Sequence, residues 1–171
     1  MHEYLFSIFP NEKFIDLGLY QYGWERCAPA HQFGPAARTH YLFHYVISGT
    51  GLLMAQDKKG ETRNYSIKSG QGFLLYPGQI STYIADETNP WEYTWLEFDG
   101  LRVKEALDIA GFSKDQPIYH ATSKEYREIM MNEMLYCQSP KRTAISPDRS
   151  FLPFSGCTHP FHRLYPDDKN R

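Results

Sequence analysis

The amino-acid sequence predicts a mainly β fold, namely an antiparallel β-barrel followed by two α-helices and an irregular tail. Between residues 38 and 98, short segments rich in β-branched and aromatic residues alternate with Gly and Pro turns, which is typical of an antiparallel barrel. After Gly100 the apolar residues recur with a helical period, and from Gln138 onward no regular period persists. These three observations divide the chain into strands, helices and tail.

The predicted strands are separated by turn sequences. Pro77-Gly78 favours a tight turn because Pro presets φ and Gly accepts a positive φ, and residues 57–60 read DKKG, a second turn. Residues 28–37 are rich in Pro, Gly and Ala and are predicted to form a loop. We predict strands at residues 19–26, 38–48, 52–56, 61–67, 73–76, 81–85 and 91–98.

Two helices are predicted after the barrel. Asp99 is placed to cap the first helix, and Gly111 closes it as the residue after the C-cap. Thr122 and Glu125 form a capping box for a second helix over residues 123–137, which is apolar on more than one face. The resulting organisation is an N-terminal arm at 1–13, a barrel at 14–98, a helical part at 99–137 and a Pro-rich tail at 138–171.

Composition and charge exclude several classes of protein. The net charge is −2 and only the tail is basic, so most of the chain lacks an electrostatic footprint for nucleic acid. Cys27, Cys137 and Cys157 are far apart, which favours a reducing compartment over a zinc site or a disulfide framework. The first residues do not resemble a signal peptide, and no apolar run approaches the ~18 residues of a membrane span. We therefore expect a cytoplasmic protein without membrane contact or direct nucleic-acid binding.

Alternation along residues 91–98 puts three aromatic side chains and one carboxylate on the same face of a strand. Such a face fits either a packed core or the wall of a concave ligand site, where rings supply apolar area and their polar tips supply hydrogen bonds. The sequence leaves both interpretations open. The four residues are Trp91, Tyr93, Trp95 and Glu97.

The strand at residues 38–48 also offers polar side chains on a single face. By alternation, Arg38, His40 and His44 point the same way as Leu42. His44 is interpreted either as a core histidine with its hydrogen bonds satisfied or as a ligand contact.

Three stretches of the chain read YLFHYVISGTG, IKSGQGFLLYPGQISTY and WEYTWLEFDG. Together they resemble the N-terminal sugar-binding domain of AraC-family transcription regulators, especially Gram-positive regulators of multiple-sugar and α-galactoside use. The resemblance extends over roughly residues 5–137. It implies a cupin-like barrel (a jelly roll) that binds a small-molecule sugar in its mouth, an N-terminal arm that closes over the sugar, and a role in regulating carbohydrate use.

The resemblance also implies site residues. Trp95 lies where the family's Trp stacks on the sugar, and Tyr83 lies at the position of a sugar-contacting Tyr. Tyr93 lies where arabinose-binding members have a His, a difference that argues against arabinose itself. The family's sugar-binding Arg has two candidates, Arg26 and Arg38, and the spacing does not choose between them. The full candidate ligand-binding set is Trp95, Tyr93, Tyr83, Arg38, His44, Arg26 and Trp91.

Many cupins are metalloenzymes, in which a His-x-His pair, a Glu and a further His hold the ion. In this chain the Glu position is Leu42, the last His position is Ser81, and no His-x-His pair occurs. These positions do not supply a set of metal ligands. No nucleophile motif is present either. We therefore predict no metal, no cofactor, no catalytic residues and no enzymatic activity.

Three functional hypotheses follow from the residues and the resemblance. The first is a sugar-sensing domain of a transcription regulator, although the chain contains no recognisable helix-turn-helix pair like that of full-length AraC regulators. The second is a metal-free cupin enzyme that acts on a carbohydrate. The third is a stand-alone dimerisation or interaction module.

The Pro residues of the tail affect how the protein is expected to dimerise. AraC regulators dimerise through a coiled-coil helix that would begin near residue 141 here. Pro140, Pro147 and Pro153 recur too often for a long helix, because each removes a hydrogen-bond donor and clashes with the preceding turn. We therefore expect this coiled coil to be absent and any homodimer to use another surface, since Met131 and Leu135 would otherwise be exposed.

Overall fold

Ten strands and two helices make up the described part of the chain in a computed structural model, which covers residues 2–8, 18–121 and 123–137. The strands near the N-terminus are β1 (Glu3–Ile8), β2 (Gly18–Arg26), β3 (Gln32–Ala36), β4 (Tyr41–Ser48) and β5 (Thr50–Gln56). They are followed by β6 (Thr62–Lys68), β7 (Gln71–Leu75), β8 (Ser81–Ala85), β9 (Glu92–Asp99), α1 (Val103–Ile109), β10 (Ile118–His120) and α2 (Lys124–Cys137).

The strands form two antiparallel sheets that enclose a common interior. One sheet has six strands in the order β1-β2-β9-β4-β7-β10, and the other has four in the order β3-β8-β5-β6. Side chains from both sheets meet between them in one buried cluster, because alternate residues of each strand point inward. The predicted antiparallel barrel of cupin type is thus confirmed. The cluster includes Leu42, Val46 and Phe73 from the larger sheet and Leu53, Ile67 and Tyr83 from the smaller one.

Both helices cover the outer face of the six-stranded sheet. Phe43 and Leu96 point outward from β4 and β9 and pack with Val103 and Leu107 of α1. From α2, Met130 and Met134 are each 2% exposed within the same cluster. Met131 is partly buried against this cluster, whereas the side chain of Leu135 lies outside the described residues. The two faces of the sheet therefore differ: the inner face carries aromatic and polar side chains, and the outer face carries apolar side chains that the helices cover.

Three strands were not predicted, namely β1, in the segment expected to be an arm, and the two short strands β3 and β10. Residues 28–37 were expected to be a loop, but Gln32–Ala36 forms β3, which pairs with β8 and places Phe33 opposite Tyr83. Ile118–His120 forms β10, which pairs with β7. β3 has no clear strand pattern because it contains Gly34 and Pro35. Its position at the edge of the sheet tolerates the Pro. β10 has only three residues, which are too few to show a pattern. Pairing with β8, and not local preference, therefore makes β3 a strand.

Of the three predicted helix ends, one is confirmed, one is wrong and one lies partly outside the described residues. Gly111 has a φ of +81° after the C-cap of α1, as predicted. Ser123 Oγ accepts the N–H of Tyr126 at 3.2 Å and so caps α2, whereas the predicted cap, Thr122, lies outside the described residues. The prediction for Asp99 is wrong, because α1 begins at Val103 and its N-cap makes no side-chain hydrogen bond. Asp99 Oδ1 instead accepts the N–H of Gly100.

The N-terminal arm supplies the first strand of the six-stranded sheet. β1 pairs with β2 over its whole length, from Glu3 opposite Arg26 to Ile8 opposite Gln21. The predicted absence of a helix near residue 141 and the tail at 138–171 lie outside the described residues. Across the described residues, no helix is both long and apolar enough to span a membrane.

Candidate ligand-binding site

Register between strands brings four aromatic rings together inside the barrel. Trp95 of β9 lies directly opposite His44 of β4, and Tyr93 lies two residues away on the same face. The His44 ring is 4.8 Å from that of Tyr93, 5.0 Å from that of Tyr83 and 6.2 Å from that of Trp95, measured between centroids. Tyr83 comes from the opposite sheet, so the four rings link both walls of the interior.

Gly23 permits the position of the Trp95 indole. It lies opposite Trp95 in the β2–β9 register. A Cβ atom at this position would come within 2.2 Å of Trp95 Cζ2 and within 2.5 Å of the backbone oxygen of Leu5. Because no side chain is present, the indole lies across the backbone of β2. Trp95 remains partly exposed there, so that one part of the ring is accessible.

His44 is a buried histidine with one ring nitrogen that has no hydrogen-bond partner among the described residues. Its side chain stacks on Phe73 with 4.6 Å between ring centroids, and its residue is 2% exposed. Nδ1 makes no hydrogen bond to any described residue. Burial, and secondarily the charge of Arg38, lowers the pKa of His44 well below its usual value, so the imidazole is neutral. An unmade hydrogen bond at a buried atom is unfavourable, and a bound polar ligand would relieve it.

Several polar side chains surround Glu97 at one end of the aromatic rings. Glu97 is 8% exposed, and its Oε2 accepts from the side chains of Gln21 and, at 3.4 Å, Arg38. Its Oε1 lies 3.2 Å from Nδ1 of His40. Arg38 also lies over the ring of Phe33 at 4.9 Å, while its Nε has no hydrogen-bond partner among the described residues. Donors and acceptors are thus fixed beside the aromatic surface.

A second carboxylate, Glu25, lies at the other end of the rings. Tyr93 donates its hydroxyl hydrogen to Glu25 Oε2 at 2.7 Å, and burial raises the Tyr93 pKa, which keeps the phenol protonated. Burial likewise raises the pKa of the nearby Cys27 thiol to about 12, so it is not a thiolate. Glu25 Oε1 also contacts the imidazoles of His2 and His31.

Five of the seven sequence-predicted site residues come together. Trp95, Tyr93, Tyr83 and His44 form the ring cluster described above, and Arg38 lies beside them near Glu97. The sequence left open which arginine belongs to the site. The geometry places Arg38 on the inner side of the barrel.

The other two predicted residues lie outside the group around His44, although the Trp91 ring is 6.3 Å from that of Tyr93. Arg26 is opposite Glu92 in the register, on the face away from Tyr93, and its side chain is 52% exposed beside Glu3 and Glu92. Arg26 therefore lies apart from the ring cluster, because Glu25 occupies the inward-facing position of β2. Trp91 is fully buried in the core, where its indole N–H donates to the oxygen of Ile67 at 3.2 Å. Trp91 therefore packs the interior and has no accessible surface with which to contact a ligand.

Sequence reasoning missed Glu25 and Gly23. Strand alternation on β2 would have placed both on the inner face with Gln21, but only once the pairing of β2 with β9 was known. Leu42 and Ser81, which occupy the usual cupin metal positions, are buried.

The fold and the interior together define a ligand-binding β-barrel with a mixed aromatic and polar lining. The chain belongs to the family of AraC-like ligand-binding domains, whose model matches residues 18–139. This match confirms the family resemblance stated from the sequence.

Two curated relatives agree with this assignment. The chain is 30% identical over 127 residues to the Msm operon regulatory protein of Streptococcus mutans, covering 74% of this chain and 44% of that protein. It is 32% identical over 88 residues to the raffinose operon transcriptional regulatory protein RafR of Pediococcus pentosaceus, covering 50% of this chain and 30% of that protein. The matched region thus spans less than half the length of these relatives.

Among solved structures, the protein YhaK from Escherichia coli aligns with a TM-score of 0.47 at 17% identity. The alignment covers 57% of this chain and 45% of that one. Similarity at this level has no bearing on ligand or chemistry.

Proposed function

We propose that this chain is the sugar-sensing domain of a transcription regulator that controls genes of carbohydrate use. The observation that carries the proposal is the inner cluster of Trp95, Tyr93 and Tyr83 around His44, whose buried Nδ1 has no partner among the described residues. The names of two relatives, which regulate a raffinose operon and an Msm operon, support a role in regulation.

The chemistry of the interior suits a sugar. A pyranose presents an apolar C–H face that packs on an aromatic ring, and the partly exposed Trp95 offers such a ring. Its hydroxyl groups need fixed hydrogen-bond partners, since unpaired hydroxyls in a buried site are costly. His44 Nδ1 and Arg38 Nε are unpaired polar atoms next to the rings, and Glu97 is held in place close by. We assign sugar contacts to Trp95, Tyr93, Tyr83, Arg38 and His44.

Calorimetric titration with a sugar panel tests the proposal. The panel contains galactose, glucose, arabinose, sucrose, melibiose and raffinose, chosen because one relative is named for a raffinose operon. We expect one or more of these sugars to bind and Trp95→Ala to abolish binding. Trp24→Ala is the matched control, because Trp24 lies on the outer face of β2 with its indole N–H donating to Glu92 at 3.1 Å.

Two results would contradict the proposal. The first is unchanged sugar affinity in a Trp95→Ala protein that retains its circular dichroism spectrum and unfolding midpoint. The second is the absence of heat from every sugar of the panel, which would favour the interaction module instead. Analysis of the same mixtures by chromatography addresses the enzyme hypothesis, since we propose a non-enzymatic domain and expect every sugar to be recovered unchanged.

We also propose that any homodimer uses a surface other than a coiled coil. β1 is the terminal strand of its sheet, and Tyr4, Leu5, Phe6 and Ile8 are each at least half exposed. A second copy pairing edge to edge would cover these side chains and the free strand edge. Sedimentation over a concentration series tests this, with Leu5→Lys expected to weaken association and with a strict monomer as the contradicting result.

A further inference from the structure

Three side chains from separate segments meet at the end of the barrel near Tyr93. His2 precedes β1, Glu25 is on β2, and His31 lies in the turn before β3. Their ligating atoms all lie within 4.8 Å of one another. Glu25 Oε1 is 2.6 Å from His2 Nε2 and 3.0 Å from His31 Nε2, and the two imidazole rings are 4.6 Å apart.

We propose that His2, Glu25 and His31 form a binding site for a divalent transition metal, with zinc as the expected ion. Two imidazole nitrogens and one carboxylate oxygen are a recurrent zinc donor set that leaves a fourth position for water. Ligand atoms around a tetrahedral zinc are about 3.3 Å apart, so the observed spacings require only small side-chain movements. The site is separate from the usual cupin metal position, where this chain has Leu42 and Ser81. The sequence-based prediction of no metal considered only that position, and this proposal departs from it.

The surroundings of Glu25 are those of a positioned metal ligand. Its residue is 9% exposed, and its second oxygen accepts the hydroxyl hydrogen of Tyr93 at 2.7 Å. Such a hydrogen bond fixes the orientation of the carboxylate and leaves Oε1 directed at the two imidazoles. His2 and His31 are more accessible, with side-chain exposures of 37% and 29%, so an ion can reach the site from solvent.

A metal at this site would fasten β1 to the rest of the barrel. β1 pairs on one side with β2, and four of its large apolar side chains are 50–67% exposed, so it gains little from burial. His2 is next to the first residue of β1, whereas Glu25 and His31 belong to the barrel. Coordination by all three would join the start of β1 to the barrel directly, and removal of the ion would release it.

Zinc titration of the chelator-treated full chain, followed by calorimetry, tests the proposal. The sequence also places Cys157, His159 and His162 close together, so the measurement is made in a His159→Ala/His162→Ala background. We expect one zinc per chain, with affinity lowered at least about tenfold by His2→Ala or His31→Ala, since even outer-shell changes commonly cost 10–100-fold. His120→Ala is the matched control, because His120 is an exposed histidine on β10 that contacts Gln71.

Hydrogen exchange supplies a second measurement. We expect zinc to slow exchange of the β1 amides in the background protein and to leave them unchanged in the His2→Ala variant. The proposal would be overturned if neither the zinc affinity nor the exchange of the β1 amides changed in His2→Ala and His31→Ala. It would also be overturned if the protein bound no stoichiometric zinc. In either case the three residues would be a hydrogen-bonded cluster only.

Discussion

On β9, Leu96 and Phe98 point to the outer face of the six-stranded sheet, whereas Trp95 and Glu97 point to its inner face. The outer face is apolar and covered by α1 and α2. The inner face combines aromatic rings with two carboxylates and a buried imidazole. Neighbouring residues of one strand therefore meet very different surroundings.

The two faces differ in the polar atoms that they leave without partners. On the outer face, the hydroxyl of Tyr45 donates to the backbone oxygen of Arg127 at 3.3 Å, and the Tyr76 hydroxyl beside the apolar cluster has no partner among the described residues. On the inner face, the atoms without partners among the described residues include two nitrogens close to the aromatic rings, His44 Nδ1 and Arg38 Nε. Unpaired buried polar atoms are uncommon, and two nitrogens beside exposed ring surface could both be satisfied by one polar ligand. We therefore expect the outer face to serve stability and the inner face to serve binding.

Leu96→Ala should give the largest effect and act on stability alone. Leu96 is 3% exposed under the helices, and truncation of such a leucine typically costs about 2–5 kcal/mol of unfolding free energy. Urea denaturation measures this loss, and calorimetry with a bound sugar should show affinity within about twofold of wild type. Loss of sugar affinity in folded Leu96→Ala protein would break the distinction between the faces.

Gly23→Ala should act mainly on the inner face. The added methyl group would collide with the Trp95 indole and with the oxygen of Leu5, so the ring must shift. We expect sugar affinity to fall about tenfold or more, because the stacking surface is displaced, together with a blue- or red-shifted tryptophan emission. Unchanged emission and affinity would show that the position of Trp95 does not depend on Gly23.

His44 should make stability depend on pH. Its pKa in the folded protein is well below the value of ~6.5 in an unfolded chain, so the unfolded state binds the additional proton. The contribution of His44 to the free energy of unfolding is fully present above pH ~6.5 and is lost as the pH falls below that value. Over this range the unfolding equilibrium constant should increase by at most about tenfold for each pH unit. Urea midpoints between pH 7 and 5 measure it.

His44→Gln is the control for this titration, since glutamine keeps polar atoms but does not ionise. Its unfolding free energy should change less over the same pH interval than that of wild type. Equal slopes for the two proteins would assign the pH dependence to other groups.

Tyr45→Phe should give the smallest effect. The substitution removes one hydrogen bond to the backbone of α2 and keeps the ring in place, at a cost of about 1 kcal/mol. Tyr93→Phe is the matched change on the inner face, where the hydroxyl donates to Glu25. We expect only the second variant to alter ligand affinity, and equal affinities for both would contradict the comparison.

Alternation along a strand can be read from sequence with few assumptions. The inward set of Tyr93, Trp95 and Glu97 follows from a period of two, and the Pro77-Gly78 turn follows from the backbone preferences of its residues, with Gly78 at a φ of +71°. The helical period of α2 is similarly local. For this reason the barrel and most of the ring cluster could be predicted.

Only tertiary structure decided which residues meet. The exclusion of Arg26 and the inclusion of Glu25 depend on the register between β2 and β9, in which a shift of one residue would exchange the two faces. β3 exists because β8 offers it partners, since its own residues do not favour a strand. The contact of His2 with Glu25 and His31 joins segments more than twenty residues apart. Sequence periodicity sets the face of a side chain, whereas its neighbours are set by strand pairing across the whole chain.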